Sequence, residues 1–411
     1  MRRSIRSLLR SEIGSLTTTF ALTAPIVGGV VALGIDLGRA ELAQKQALRA
    51  AEASAISAAV AYQATNNSDL NKEALQVAAR YGFSGAGGGT ITVNRPPTTG
   101  PNKNTQAAVE VIIQQPQPTY FAALVWPGAL SVTGRAVAKG GPNICILALD
   151  PTASNAISVQ GSVAVNANNC SIYSDSADAA SISAGGSSSV SALVVSTVGG
   201  VTGQSSITAQ NGVLTQQNAI ADPYASIPLP SYSGCTANSP QYKYTEYLMP
   251  GVYCGGMTLN SGSNVTLSPG VYVMDQGSLT VNGGATLQGS GVTIVFTSRT
   301  GNNYATAKIN GGAVVNLTAP TSGQYAGIVL YGDRAMPTGT SFNLGGGSYQ
   351  YFGGAVYLPK ADVSFSGNNS TSTSCTQVIV DTISFVGNSG IQVNCTGAGV
   401  RNIGAAAKVL E

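Results

Sequence analysis

Six cysteines are the side chains whose type and spacing carry the most chemical information: Cys145, Cys170, Cys235, Cys254, Cys375 and Cys395. No two form a CxxC pair, and histidine is absent, so Ser-His-Asp and Cys-His nucleophile activation and every histidine-bearing zinc site are excluded together. An even cysteine count without metal-ligand spacing favours structural disulfides made in an oxidising compartment. Acid–base or Ca²⁺-assisted cleavage of a sugar polymer would need clustered carboxylates beside a cation. Beyond residue 141 the candidates are Asp333 next to Arg334, Asp362 and Asp381, while Asp150 and Asp175 recur at a 25-residue step in the manner of a turn feature. The expectation is a chain that is not an enzyme, with no catalytic residue, cofactor or metal.

The elements that position these residues are set by composition. With 51 glycines and 9% charged residues, the chain is built for short strands and tight turns. Its net charge of +3 comes from Arg2, Arg3, Arg6 and Arg10 against Glu12, and the remainder is neutral, so no nucleic-acid partner is expected.

Residues 1–12 read as a basic cytoplasmic tail. Residues 13–35 contain no charge and are long enough, at ~1.5 Å per residue, to cross a ~30 Å hydrocarbon core as a helix. The expected partner of this stretch is the lipid bilayer, with the N-terminus cytoplasmic by the positive-inside bias. No A-x-A cleavage site follows the apolar run, and Ala24 is followed by Pro25, which favours an uncleaved single-pass anchor in the inner membrane. Juxtamembrane helices are expected over 36–83, the second of them in "SDLNKEALQVAARYGF". A small mixed α+β segment follows over 84–140, with strands at "TITVN", "AAVEVIIQQ", "YFAALVW" and "SVTGRAVAK".

From 141 to 411 the text repeats. Cys145, Asp150, Ile157, Ser158 and Val165 return 25 residues later as Cys170, Asp175, Ile182, Ser183 and Val190, and Ser181, Ile182 and Ala184 return as Ser206, Ile207 and Ala209. After a Pro/Tyr-rich insertion near 218–248, "PGVYC" and "PGVYV" stand 19 residues apart, Leu259 and Leu267 return at Leu279 and Leu287, and "SF" returns at Ser341, Ser364 and Ser384. Several runs of three to five alternating residues per repeat predict a right-handed parallel β-helix, in which residues one repeat apart lie ~4.8 Å from each other. The cysteine separations of 25, 19 and 20 match these steps, so Cys145–Cys170, Cys235–Cys254 and Cys375–Cys395 are the expected bridges between adjacent coils.

Two stretches carry a family resemblance. "EIGSLTTTFALTAPIV" followed by "DLGRAELAQKQALRAAEASAISAA" resembles the N-terminal signature of TadE/TadG-like proteins of tight-adherence, Flp-type pilus systems. The TadE branch carries a glutamate five residues after the glycine, where this chain has Thr19, so the TadG branch is the closer comparison. "CILALDPTASNAISVQGSVAVNANNCSIYSDS" and the "PGVYC" region are similar to C-terminal stretches of TadG-like chains, and no DxSxS motif of the metal-binding variant is present. The resemblance implies an extracytoplasmic, membrane-anchored component of pilus assembly or adherence, with other pilus assembly components as partners. Alternatives from the residues alone are a surface adhesin using "SPQYKYTEYLMPGVY" for contact and, less favoured, a polysaccharide lyase or hydrolase.

Overall fold

The computed structural model describes residues 12–65, 70–106, 108–121, 130–141, 143–345, 349–366, 375–387, 390–392, 400, 401, 403 and 408–411. Residues 1–11 of the basic tail and Trp126 lie outside them, as does most of the strand expected at "YFAALVW". The chain divides into two compact units, one of residues 1–141 with 406–411 and one of residues 142–405.

The first unit opens with α1 (Glu12–Thr65), a continuous helix of roughly 80 Å at ~1.5 Å per residue. Among the described residues it is the one helix long and apolar enough to cross a membrane. Its two halves behave differently. Phe20, Leu22, Ile26, Val27, Val30 and Val31 are exposed. Further along, Ala47, Ala50, Ala51, Ala55, Ala58 and Ala59 recur at helical spacing and are fully buried. They meet Ala74 and Ala78 of α2 (Leu70–Arg80) and the apolar face of an antiparallel sheet, β1 (Thr90–Asn94), β2 (Ala108–Gln117) and β3 (Leu130–Lys139).

Alanine stripes let backbones approach closely, and here the approach is set by one residue. A Cβ on Gly134 of β3 would fall inside van der Waals contact of the Ala47 carbonyl. Beside it Gln44 copies a strand edge: its Nε2–H donates to Thr133 O at 2.6 Å and its Oε1 accepts from Thr133 N–H at 3.1 Å. Gly134→Val is expected to cost about 2–3 kcal/mol through overpacking. Hydrogen exchange on β3 amides tests this, and unchanged protection would show that the helix retreats freely. The last residues, assigned by the repeat to the coil, instead pair antiparallel with β3 through Lys408 and Val409.

Among the described residues of the second unit every strand pairing is parallel, and successive strands fall in three ladders. The first ladder, in spatial order, runs through 237–238, 251–254, 270–275, 292–297, 328–332, 354–358, 376–380, 144–148, 171–174, 194–197 and 213–214. The second runs from 241–242 to 201–202 through 382–386 on 157–159. The third contains 245–248, 264–267, 286–289, 314–318 and 349–353 at one end and 390–392, 164–167, 189–192 and 207–209 at the other. Inward Val, Ile, Leu and Phe side chains form one core, with Phe296 edge-on to Phe342 at 5.2 Å between ring centroids.

The ladders are not filled in chain order. Residues 144–214 make one series of rungs and 237–392 another, and the end of the second docks on the start of the first: Val378 opposes Ile146 and Ile383 opposes Ile157. The insertion near 218–248 is also shorter than its composition suggested, because 237–238, 241–242 and 245–248 are already strands of the first rung.

Register follows the sequence repeat in part. Ile157 opposes Ile182, Val165 opposes Val190, and Phe365 opposes Phe385, as the repeats require. Ile207, however, opposes Val190, and the next neighbour of Ile182 is Val201, because the chain turns sooner there than the 25-residue step allows. Val252 opposes Val273, Leu259 opposes Val281, Leu267 opposes Gly289 and Phe342 opposes Val363, each two residues from the expected partner. A slip of two preserves which side chains face inward, so alternation alone does not distinguish the two registers.

Candidate functional site

The expected cysteine pairs place two covalent staples in the second unit. Cys145–Cys170 has its Cα atoms 5.9 Å apart and Cys235–Cys254 has them 5.7 Å apart. Cys395 lies outside the described residues, and so does the Cys375–Cys395 bridge. Around the second staple, Arg299 pairs with the buried Asp275 carboxylate, and its Nη2 donates to Gly234 O at 2.9 Å and reaches Cys254 Sγ at 3.0 Å.

The carboxylates singled out by chemistry are distributed among separate structural networks. Asp333 is buried and accepts from Thr297 Oγ1–H at 2.6 Å and Ala335 N–H at 2.8 Å. Neighbouring Arg334 turns to the Tyr331 hydroxyl, donating at 2.9 Å. Asp362 accepts from Thr382 Oγ1–H at 3.0 Å. Burial, and then the nearby Asp150 charge, push Asp381 up to about 6. Asp150 accepts from the Thr152 and Ala153 N–H groups at 2.7 Å each, the turn feature expected of it. Asp175 does something else: its carboxylate, pushed up to about 6 by burial, accepts Ile220 N–H at 2.8 Å. Among the described residues no group of three or more His, Cys, Asp or Glu could hold a metal ion.

That bond to Ile220 belongs to the feature that sequence reasoning missed. Residues 217–235 form a strap that crosses the first ladder from rung to rung, opposite to the direction in which the rungs are laid down. Gln217 N–H donates to Thr197 O at 3.0 Å. Tyr173 OH then donates to Asn218 O at 2.6 Å, Tyr357 OH to Asp222 Oδ2 at 2.7 Å, Tyr331 OH to Ile227 O at 2.8 Å, Tyr325 OH to Pro228 O at 2.8 Å, and Tyr232 OH to Asp275 Oδ1 at 3.1 Å. The strap finishes at Cys235, bonded to Cys254. Nine rungs at ~4.8 Å span roughly 38 Å, within the ~3.3 Å per residue reach of this segment.

Physically the strap suits its sequence. A segment crossing strands has no ladder to join, so Pro223, Pro228 and Pro230 sacrifice no sheet hydrogen bond, and its carbonyls are free to accept from tyrosine. The outward residues beneath it, Val252, Val273, Val295, Tyr331, Tyr357 and Ile379, form a second apolar cluster with Tyr224. The visible signal was composition: prolines on the strap and apolar or tyrosine residues at outward strand positions.

The first unit holds one further charged centre. Glu110 is fully buried and accepts from Asn94 Nδ2–H at 2.8 Å, Thr98 N–H at 3.0 Å, Thr98 Oγ1–H at 2.8 Å, the Thr99 hydroxyl and Arg135 Nε–H at 2.8 Å. Arg135 also pairs with Glu411 at 3.0 Å. Asp36, buried on α1, accepts the Phe121 N–H at 2.8 Å.

Comparison with known proteins assigns part of the first unit. Residues 14–61, nearly all of α1, match the family model described as Putative Flp pilus-assembly TadE/G-like. This match covers the exposed apolar half of the helix and the buried alanine stripe together. No curated protein and no solved structure matches the chain.

Proposed function

We propose that this chain is a structural component of Flp/Tad-type pilus assembly or adherence, held in the inner membrane by the front half of α1, with the N-terminus cytoplasmic and the rest extracytoplasmic. The observation that carries the reading is the coincidence, on one helix, of the TadE/G-like match with a bare apolar half at 19–35. Lipid satisfies such a half, whose large apolar side chains are exposed among the described residues. Two disulfides support an oxidising compartment.

The three parallel ladders support a parallel β-helix as the body of the second unit, and its turn is read here as right-handed. Its role in this reading is contact and assembly, without catalysis: Asp150 is engaged in a turn, Asp175 in a strap contact, Asp333 in a buried hydrogen bond and Asp362 in a bond from Thr382. Two experiments test the proposal. A reporter fused after residue 65 is expected to be active only on the extracytoplasmic side, and cytoplasmic activity overturns the orientation. Deletion of the gene is expected to impair pilus-dependent attachment, and normal piliation with normal attachment overturns the pilus role.

A further inference from the structure

Among the described residues each ladder stops abruptly. At the leading end, 237–238, 241–242 and 245–248 pair on one side only, with 253–254, 258–259 and 264–267. At the trailing end, 201–202, 207–209 and 213–214 pair on one side only, with 182–183, 190–192 and 195–196. The core is less covered at both places. Ile182, Val190, Ala192, Val195, Tyr253 and Leu259, one rung in, are at most 2% exposed, whereas Val201, Ile207, Ala209 and Val213 at one end and Ala237 and Tyr242 at the other are only partly buried. After Leu214 the chain turns back to Thr197 and so does not run on across the trailing edge.

Stacked repeats need capped ends, and sheet edges in solution are ordinarily guarded by charge. Here 199–217 contains no charged residue, and 236–249 contains Lys243 and Glu246, one of each sign. Instead the leading end shows Tyr244, Tyr247 and Met249 at 76%, 77% and 67% exposure. The fold already contains a junction of the kind needed to close such an edge, where 378–385 dock on 146–159 without being adjacent in sequence.

We propose that the trailing end of one copy stacks on the leading end of a second copy, head to tail. Ladder by ladder the strands correspond: 213–214 would lie on 237–238, 201–202 on 241–242, and 207–209 on 245–248. All run parallel and in the same sense along the axis, so the contact reproduces an interior rung. Leading and trailing edges are different surfaces, so the contact is heterologous and repeats into an open filament. The inference rests on the ladder pairings and stands apart from the pilus reading.

The test uses the full chain in detergent, with a photo-reactive benzoylphenylalanine in place of Tyr247. The expected product is a dimer ladder whose cross-linked peptides fall within 207–214 of another copy. Cross-links confined to 237–249 or to residues 1–140, or none at concentrations where the chain self-associates, overturn the proposal. Thr208→Lys with Tyr247→Lys, both at exposed positions, sets like charges across the contact and is expected to shift the association midpoint by roughly tenfold or more. Thr208→Lys with Tyr247→Glu is expected to restore it. Association indifferent to both pairs would place self-contact elsewhere, for example along α1, and would also overturn the proposal.

Discussion

Tyr224→Ala is expected to destabilise the second unit by about 4 kcal/mol, in the range for removing a large buried aromatic side chain. Tyr224 is fully buried on the strap, with its ring 5.3 Å from that of Tyr357. Its hydroxyl donates to Gln377 Oε1 at 3.0 Å and accepts from Arg401 N–H at 3.0 Å. Gln377 in turn donates from Nε2 to Ile144 O at 3.0 Å. The tyrosine therefore sits where the second series of rungs meets the first. Alanine leaves both a cavity and a buried amide short of a partner, and the second effect adds to the first. Tyr224→Phe keeps the ring and is expected to lose only about 1–2 kcal/mol. Denaturant unfolding of the detergent-solubilised chain measures the totals, and hydrogen exchange locates them. Faster exchange should appear first at 144–148 and 376–380, with 252–259 little changed. An alanine cost under about 1 kcal/mol would mean that the strap contributes little to the junction.

The two units are expected to respond to acid in opposite directions. Burial alone would raise the Glu110 carboxyl, but the Thr99 hydroxyl, the Thr98 N–H and the Asn94 and Thr98 side chains hold it down at about 2, against an ordinary value of 4.5. A folded value below the unfolded one gives stability that is present above the ordinary carboxylate range and lost as pH falls towards 2. For Glu110 this is on the order of 3 kcal/mol. Asp175 and Asp381 are pushed the other way, each to about 6 by burial first. Protonation favours the folded state there, so the second unit should gain stability as pH falls from 6 to 4 and lose it on the return. Calorimetry across pH 2–7 should show the second unit's transition rising as pH falls from about 6 to 5 while the first unit's is nearly flat, and the first unit's falling at lower pH. Glu110→Gln should remove most of the first unit's acid sensitivity while lowering its stability at neutral pH by a similar amount. A wild-type first unit equally stable at pH 2.5 and pH 6 would overturn the assignment.

Much of the local structure was legible in the sequence. Strands β1 and β3, the long Ala-rich helix and two disulfide partnerships follow from alternation, helical spacing and cysteine separation. A sharper register signal was also present. Asn260, Asn282 and Asn310 each precede by two residues a glycine of positive φ (Gly262 at 81°, Gly284 at 80°, Gly312 at 83°), and Asn310 Nδ2–H donates to Asn282 Oδ1 at 3.0 Å. A corner needs that conformation, which glycine adopts at little cost, so these corners mark the turns more faithfully than "PGVY", whose copies lie two residues out of register.

The sequence by itself determined which side chains face inward, where the chain bends and which half of α1 is apolar, because these depend on near neighbours. Tertiary structure alone decided the order of the rungs. Nothing local in 376–380 distinguishes it from other apolar strands that could stack on 144–148, since parallel strands of matching parity bury the same area. The choice is made by contacts distant in sequence: Gln377 reaching Ile144 and Tyr224, and a strap whose bonds to Tyr173, Tyr331 and Tyr357 lead the chain back across the ladder before its second series begins.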